Sequence, residues 1–150
     1  MNLKTKMMKL RFAFAVSNDG KFEKKHFGDA DRYLIYDISK NKTKLISNEI
    51  NSMKLHDEVQ KHGLEKKGNA IIKFLKDYKV HVLVSRQFGS NIKMVNKHFI
   101  PVLIFAEQPD EVITILNKHI HWIRDERKKH TDDFKLFTIK SGILKSSIDK

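Results

Sequence analysis

From Leu10 to Val16 large apolar residues alternate with smaller or polar ones. Leu10, Phe12, Phe14 and Val16 occupy one set of positions; Arg11, Ala13 and Ala15 occupy the other. A period of two belongs to a strand, here with one bulky and one small face. Ser17-Asn18-Asp19-Gly20 gives a turn signal, and Arg32–Ile38, rich in aromatic and β-branched residues, reads as a second strand. Asn41-Lys42 turns the chain into a third strand, Thr43–Ile50. Three successive strands at this spacing predict an antiparallel meander.

The period then changes. Residues 51–67 are polar with scattered apolar anchors and read as a loop holding a helical turn. Leu64, Ile71, Ile72 and Leu75 recur at helical spacing, with Phe74 beside them. Val80–Val84 is a short, mostly apolar run of the kind buried on both faces of a sheet, and His81 inside it reads as a satisfied core histidine. A loop, SRQFGSNI, follows, with Ser90 or Asn91 as N-cap of a short helix through Met94 and Val95. Phe99–Phe105 is another buried strand, in which Pro101 favours an edge position or an early place in the strand. Pro109-Asp110-Glu111 opens the longest helix. Val112, Ile115, Leu116, Ile120 and Ile123 form its apolar stripe, and Arg127-Lys128-Lys129-His130 suits its negative end. Phe134–Ile139 reads as one more strand or a packed arm, and the residues after it as frayed. The order predicts an α/β fold: a three-strand meander, then α-β-α-β-α, in a mixed five-stranded sheet with a C-terminal arm. The domain spans 10–130, between an N-terminal extension (1–9) and the arm (131–150).

Composition narrows the chemistry. The 150 residues contain no cysteine, which excludes disulfides, thiolate nucleophiles and cysteine-held zinc or iron–sulfur sites. A metal or cluster would be held by His, Asp, Glu, Met or backbone groups, or would bring its own ligands. Thirty Lys and Arg against 18 Asp and Glu give a net charge of +12, which attracts anions in general. The lysines are spread along the chain without interleaved aromatics or arginine stripes, so nucleic acid is not the expected partner. No apolar run approaches the roughly 18 residues of a membrane span, and the basic start lacks the apolar core of a secretory signal. The expected location is cytoplasmic.

Two loops carry the candidate chemistry. Ser85–Asn91 lies at the carboxyl end of a predicted parallel strand and before a helix; Arg86 and free backbone N–H groups there suit an anion, although an ordinary strand-to-helix connection would look the same. In the first loop, His26 precedes Phe27 and Gly28. An imidazole is a good metal ligand, Phe27 is a natural anchor, and Gly28 permits close backbone approach. A loop histidine bonded to backbone is the alternative. His119 and His121, two apart on a helix, point away from one another and do not make a chelating pair. His56 and His62 fit no metal motif by spacing. Nucleophile elbows and HExxH pairs are missing, and the first strand carries no acid for a two-metal nuclease, so no enzyme is expected.

FAFAVSNDGKFEKKHFGDADRYLIYDI, with Asp-Gly in the turn, His26-Phe27-Gly28 and then Tyr33-Leu34-Ile35-Tyr36-Asp37, resembles the opening of the dinitrogenase iron-molybdenum cofactor biosynthesis domain (the NifX/NifB C-terminal type). The later order of helix, VHVLVSRQFGSN, short helix and FIPVLIF is similar too, over roughly residues 10–120. The resemblance implies a ribonuclease H-like fold without nuclease activity. It further implies binding or carriage of an anionic iron–sulfur or iron–molybdenum cluster during cofactor assembly, related to nitrogen fixation, with a cofactor-assembly protein as partner and a monomer or homodimer as the assembly. By this resemblance His26 becomes the cluster ligand, helped by His56 or His62 and by the loop with Arg86, Gly89, Ser90 and Asn91. The chain departs from the family where relatives are glycine- and histidine-rich after the third strand, since NSMKLHDEVQKHG holds only His56, His62 and one glycine. A second reading follows from that departure: a regulatory or interaction module of the same fold that has lost the cluster and binds an anionic partner.

Overall fold

The structure is a computed structural model that describes residues 9–53, 62–89 and 95–146, with backbone alone for 62–67. The expected short helix through Met94, most of the polar stretch after Met53, and the two chain ends lie outside the described residues.

The meander is present as β1 (Leu10–Val16), β2 (Arg32–Ser39) and β3 (Lys42–Ile50). After it come α1 (His62–Asp77), β4 (Val82–Ser85), β5 (Ile100–Ile104), α2 (Pro109–Lys118), α3 (Ile120–Lys129), β6 (Phe137–Lys140) and β7 (Ile143–Ser146). All seven strands form one mixed sheet in the order β3-β2-β1-β4-β5-β6-β7. β1, β4, β5 and β6 run parallel; β2 and β3 continue the sheet antiparallel on one side, and β7 does so on the other.

The two faces of β1 decide what covers the sheet. Leu10, Phe12, Phe14 and Val16 face one core with Val112 and Leu116 of α2 and Ile120 and Ile123 of α3. Ala13 and Ala15 face the other, where Ile71 and Leu75 of α1 pack with Phe27, Tyr33, Phe88 and Phe99. The alanines leave volume above the sheet, and four aromatic rings fill it, as close packing requires.

Three expectations need correcting. The sheet has seven strands rather than five, because the arm after residue 130 adds β6 and β7; Phe134, Phe137, Ile139 and Leu144 are buried in the α2/α3 core. The longest helix divides at His119, whose backbone (φ −116°, ψ 24°) leaves the helical region, although the buried stripe Val112–Leu116–Ile120–Ile123 continues across the break. β4 begins at Val82, not Val80, since Val80 closes the C-terminus of α1: its N–H donates to Leu75 O (3.0 Å) while Lys79 N–H donates to Lys76 O (2.9 Å). His81 is therefore one residue ahead of the strand. It is nevertheless satisfied, for its Nδ1 accepts from Arg11 N–H at 2.9 Å. Pro101 sits in an interior strand but early in it: it pairs with Leu83 of β4, and pairing with β6 starts at Val102. Its missing donor thus falls before that ladder begins.

At the end of the sheet where β1 starts, Arg11 ties three elements together. Nε and Nη2 donate to the buried Asp37 carboxylate of β2 (2.7 and 3.0 Å), and Nη1 donates to the Tyr78 carbonyl after α1 (3.0 Å). Burial alone would raise the Asp37 carboxyl, but Arg11, with Lys9 3.5 Å away, outweighs it and holds the group below its ordinary range. A depressed carboxyl contributes stability above its unfolded pKa and loses it as pH falls through the lower folded value. Asp37→Asn is expected to cost about 1–3 kcal/mol at neutral pH and to flatten the acid limb of the stability curve, as read by urea unfolding between pH 3 and 7 on the order of single pH steps. An unchanged midpoint at pH 7 would mean that the pair contributes little.

Candidate functional site

The Asn18-Asp19-Gly20 signal does make a turn. Gly20 takes φ +85°, Ser17 N–H donates to Lys21 O at 2.8 Å, and a lone bridge joins Val16 to Phe22. The hairpin could have ended there. Residues 23–31 instead make a second excursion before β2, and that excursion carries His26.

This loop is fixed at several points. Glu23 is buried, and its Oε1 accepts from the N–H of Lys24 at 3.0 Å. Phe27 N–H donates to Gln87 O (2.8 Å), and Gln87 Nε2 donates to Lys24 O (3.1 Å), so the loop is joined to the segment leaving β4. Ser85, fully buried, donates its hydroxyl to the same Gln87 carbonyl at 2.8 Å. Residues 27–29 form a short 3-10 turn with the Phe27 ring inside, stacked between Tyr33 (4.9 Å) and Phe88 (6.0 Å).

The polar groups of this turn are satisfied by two residues that sequence reasoning missed in this role. Tyr33 donates its hydroxyl to Phe27 O at 2.8 Å. Burial, with a smaller effect from Asp29, pushes the phenol far above its usual range, so it stays a donor. Asn51, buried just past β3, directs Nδ2 to Gly28 O (3.0 Å), Ala30 O (2.8 Å) and the Tyr33 hydroxyl (3.2 Å). Tyr33 carried a strand signal, but a single asparagine after a strand has no pattern that distinguishes a buried clamp from a turn.

His26 itself is exposed, and its ring lies directly over Gly89. A Cβ at that glycine would stand 2.6 Å from Nδ1, and Gly89 also takes φ +70°. Only glycine meets both conditions comfortably. The two loops singled out from sequence thus meet, with His26 on Gly89 and Phe27 on Phe88. Gly28 contributes its carbonyl to Asn51 rather than a positive φ. Ser90, Asn91 and His56 lie outside the described residues, as does the side chain of His62.

Arg86 faces a neighbouring crevice of about 400 Å³ at the carboxyl ends of β1, β4 and β5, where Lys21, Lys24, Asp19 and Glu107 also line the wall. Glu107 is a fixed part of that wall. Its Oε2 accepts from Gly142 N–H in the β6–β7 turn (2.9 Å), and its Oε1 accepts from Ala106 N–H (3.2 Å). Burial would raise this carboxyl, but the backbone donors hold it down and charged. Among the described residues no group of three or more His, Cys, Asp or Glu side chains converges as a metal site. The arrangement therefore offers one exposed imidazole on a stapled loop, beside a crevice rimmed by three cations (Lys21, Lys24, Arg86) and three carboxylates (Asp19, Glu23, Glu107).

Gly89→Ala is expected to destabilise the fold by about 1–2 kcal/mol through its left-handed backbone and to push the His26 ring outward. Denaturant unfolding together with the His26 ring resonances in NMR would check both effects. An unmoved ring would mean that the glycine is needed for its backbone alone.

Compared with the curated proteins, the chain finds no match. A family model described as dinitrogenase iron-molybdenum cofactor does match, over residues 8–119, which take in β1 through α2 and both loops of the site. The chain belongs to the dinitrogenase iron-molybdenum cofactor family.

Proposed function

We propose that the protein binds and carries an iron–sulfur or iron–molybdenum cluster during cofactor assembly, without catalysing a reaction, and that His26 is the protein ligand. The family supports involvement in the biosynthesis or carriage of that cofactor. The observation that carries the finer reading is the position of His26: an exposed imidazole held over Gly89, on a loop anchored by the buried Phe27, Tyr33, Asn51 and Phe88. A ligand kept outward on a rigid loop is pre-organised for a guest, and little entropy is lost when the guest arrives.

The donor set fits a carrier better than a permanent holder. With no cysteine in the chain and no converging metal group among the described residues, a cluster would keep most of its own ligands and accept one imidazole. Arg86, Lys21 and Lys24 would offer it donors at the adjoining crevice, which Asp19, Glu23 and Glu107 also line, and the chain's net charge of +12 favours an anion overall. Ser90, Asn91, His56 and His62 remain further candidate donors, as the resemblance implies. We take the fold as ribonuclease H-like, with residues 10–130 as the family module, 131–150 as its arm, and a cofactor-assembly protein as the partner. One labile protein ligand suits transfer, because a cargo held at many points is slow to leave.

Anaerobic titration with a synthetic iron–sulfur cluster, followed by absorbance, tests the reading. Saturation near one equivalent is expected for the native chain, with His26→Ala weakening binding at least about tenfold, the loss of one good ligand contact. Phe88→Leu, which loosens the stack beneath the loop, should weaken it less. Binding indifferent to His26 would overturn the assignment.

A further inference from the structure

The opposite end of the sheet holds a second concavity, of about 590 Å³, at the amino ends of β4 and β5. Lys76 and Lys79 border it from the end of α1 and Arg127 from α3, with His81, His98 and Thr131 between them. None of its lining residues is a carboxylate. Of the buried acids, Asp37 is engaged by Arg11, and Glu126 by His130 Nδ1 (2.8 Å) and Lys135 N–H (2.8 Å); Asp77, Asp132 and Asp133, which neighbour lining residues in the chain, are exposed and do not line the concavity. Among the described residues, none of the three cations is paired with a carboxylate.

The two histidines register this field. Burial first, then Arg127 and Arg11, lowers His81 to about 4; burial, Lys76 and Lys97 lower His98. Both are neutral at physiological pH. The tautomer of His81 follows from its neighbour: Nδ1 accepts from Arg11 N–H, so the ring proton is on Nε2. The lining thus offers a neutral N–H and a hydroxyl along with three positive charges, a donor set without acceptor charge.

Lys79 adds an independent observation. It occupies the residue that ends α1 in the left-handed region, φ +60°, the place where glycine is the favoured residue. A lysine here holds a strained backbone while its side chain borders the concavity. Folding alone would be better served by glycine.

We infer that this concavity is a binding site for a compact, multiply charged phosphate-bearing anion, such as an oligophosphate or the phosphate chain of a nucleotide. The inference does not rest on the cluster assignment, which concerns the other end of the sheet. Convergent unpaired cations repel one another, and a polyanion relieves that repulsion while accepting from Nε2–H of His81 and the Thr131 hydroxyl. Only the phosphate chain is recognised, so free oligophosphate and the nucleotide ester should bind alike.

Calorimetric titration at low ionic strength with inorganic tripolyphosphate, and separately with ATP, tests this on the full chain. One equivalent of either should bind, and more weakly as salt rises. Arg127→Ala is expected to weaken binding by roughly tenfold. Lys128→Ala removes the same charge from the adjacent, exposed position and should change it little. Lys79→Gly should move two readouts in opposite directions, weakening binding while raising Tm by about 2–4 °C. His26→Ala should leave tripolyphosphate binding intact, so failure of the cluster reading and failure of this one are separable. Equal losses from Arg127→Ala and Lys128→Ala, binding of several equivalents, or no saturable binding would overturn the proposal by reducing the concavity to part of a diffuse lysine field. A tighter, competing complex with an acidic peptide would overturn it in favour of a protein partner.

Discussion

Everything at the candidate site depends on the small face of β1. Two alanines, Ala13 and Ala15, stand where a central strand would ordinarily carry bulky side chains, and the vacancy above them admits Phe27, Tyr33, Phe88 and Phe99. Larger residues at either position would displace those rings, because interiors near crystal density do not absorb added methylenes without strain. With the rings go the loop they anchor, the stack on Phe88, and the seat of His26 over Gly89. An imidazole at the surface is therefore governed by two methyl groups in the middle of the sheet.

Polar satisfaction completes what packing begins. A loop that dips an aromatic ring into the core also drags carbonyls toward it, and unpaired carbonyls there are costly. Tyr33 and Asn51 answer the carbonyls of residues 27, 28 and 30 from two different strand ends, while Gln87 and Phe27 share a bond across to β4. The loop is consequently held from both halves of the sheet, the antiparallel meander and the parallel core.

Much of this was legible in the sequence, and the misses have physical causes. The alternation in Leu10–Val16 announced both faces of β1, and His26-Phe27-Gly28 drew attention to the right loop. Asn51 was invisible as a clamp because that role is tertiary: its Oδ1 makes an ordinary local turn, accepting from Met53 N–H at 3.0 Å, while its Nδ2 serves carbonyls of a segment more than twenty residues earlier. The break at His119 escaped because the apolar spacing 112, 116, 120, 123 survives it, so a periodicity argument sees one helix where backbone geometry makes two. β7 was missed because Ser141-Gly142 hides a tight turn inside a polar tail; Ser141 and Gly142 both take positive φ, and only the pairing of Ile139 with Leu144 reveals a strand.

The bond between Gly142 and Glu107 has a consequence for how the protein can be divided. The family match ends at residue 119, yet a wall of the crevice is fastened by a residue more than twenty positions later. β6 also covers the hydrogen-bonding edge of β5 from Val102 to Ile104. A chain cut after α3 would leave that edge bare, along with the apolar surface that Phe137 and Leu144 now cover. Exposed parallel edges of this kind recruit other strands. The part that sequence similarity defines and the part that completes the sheet are thus different lengths, and the C-terminal hairpin covers an edge and a core face that the shorter part would leave bare.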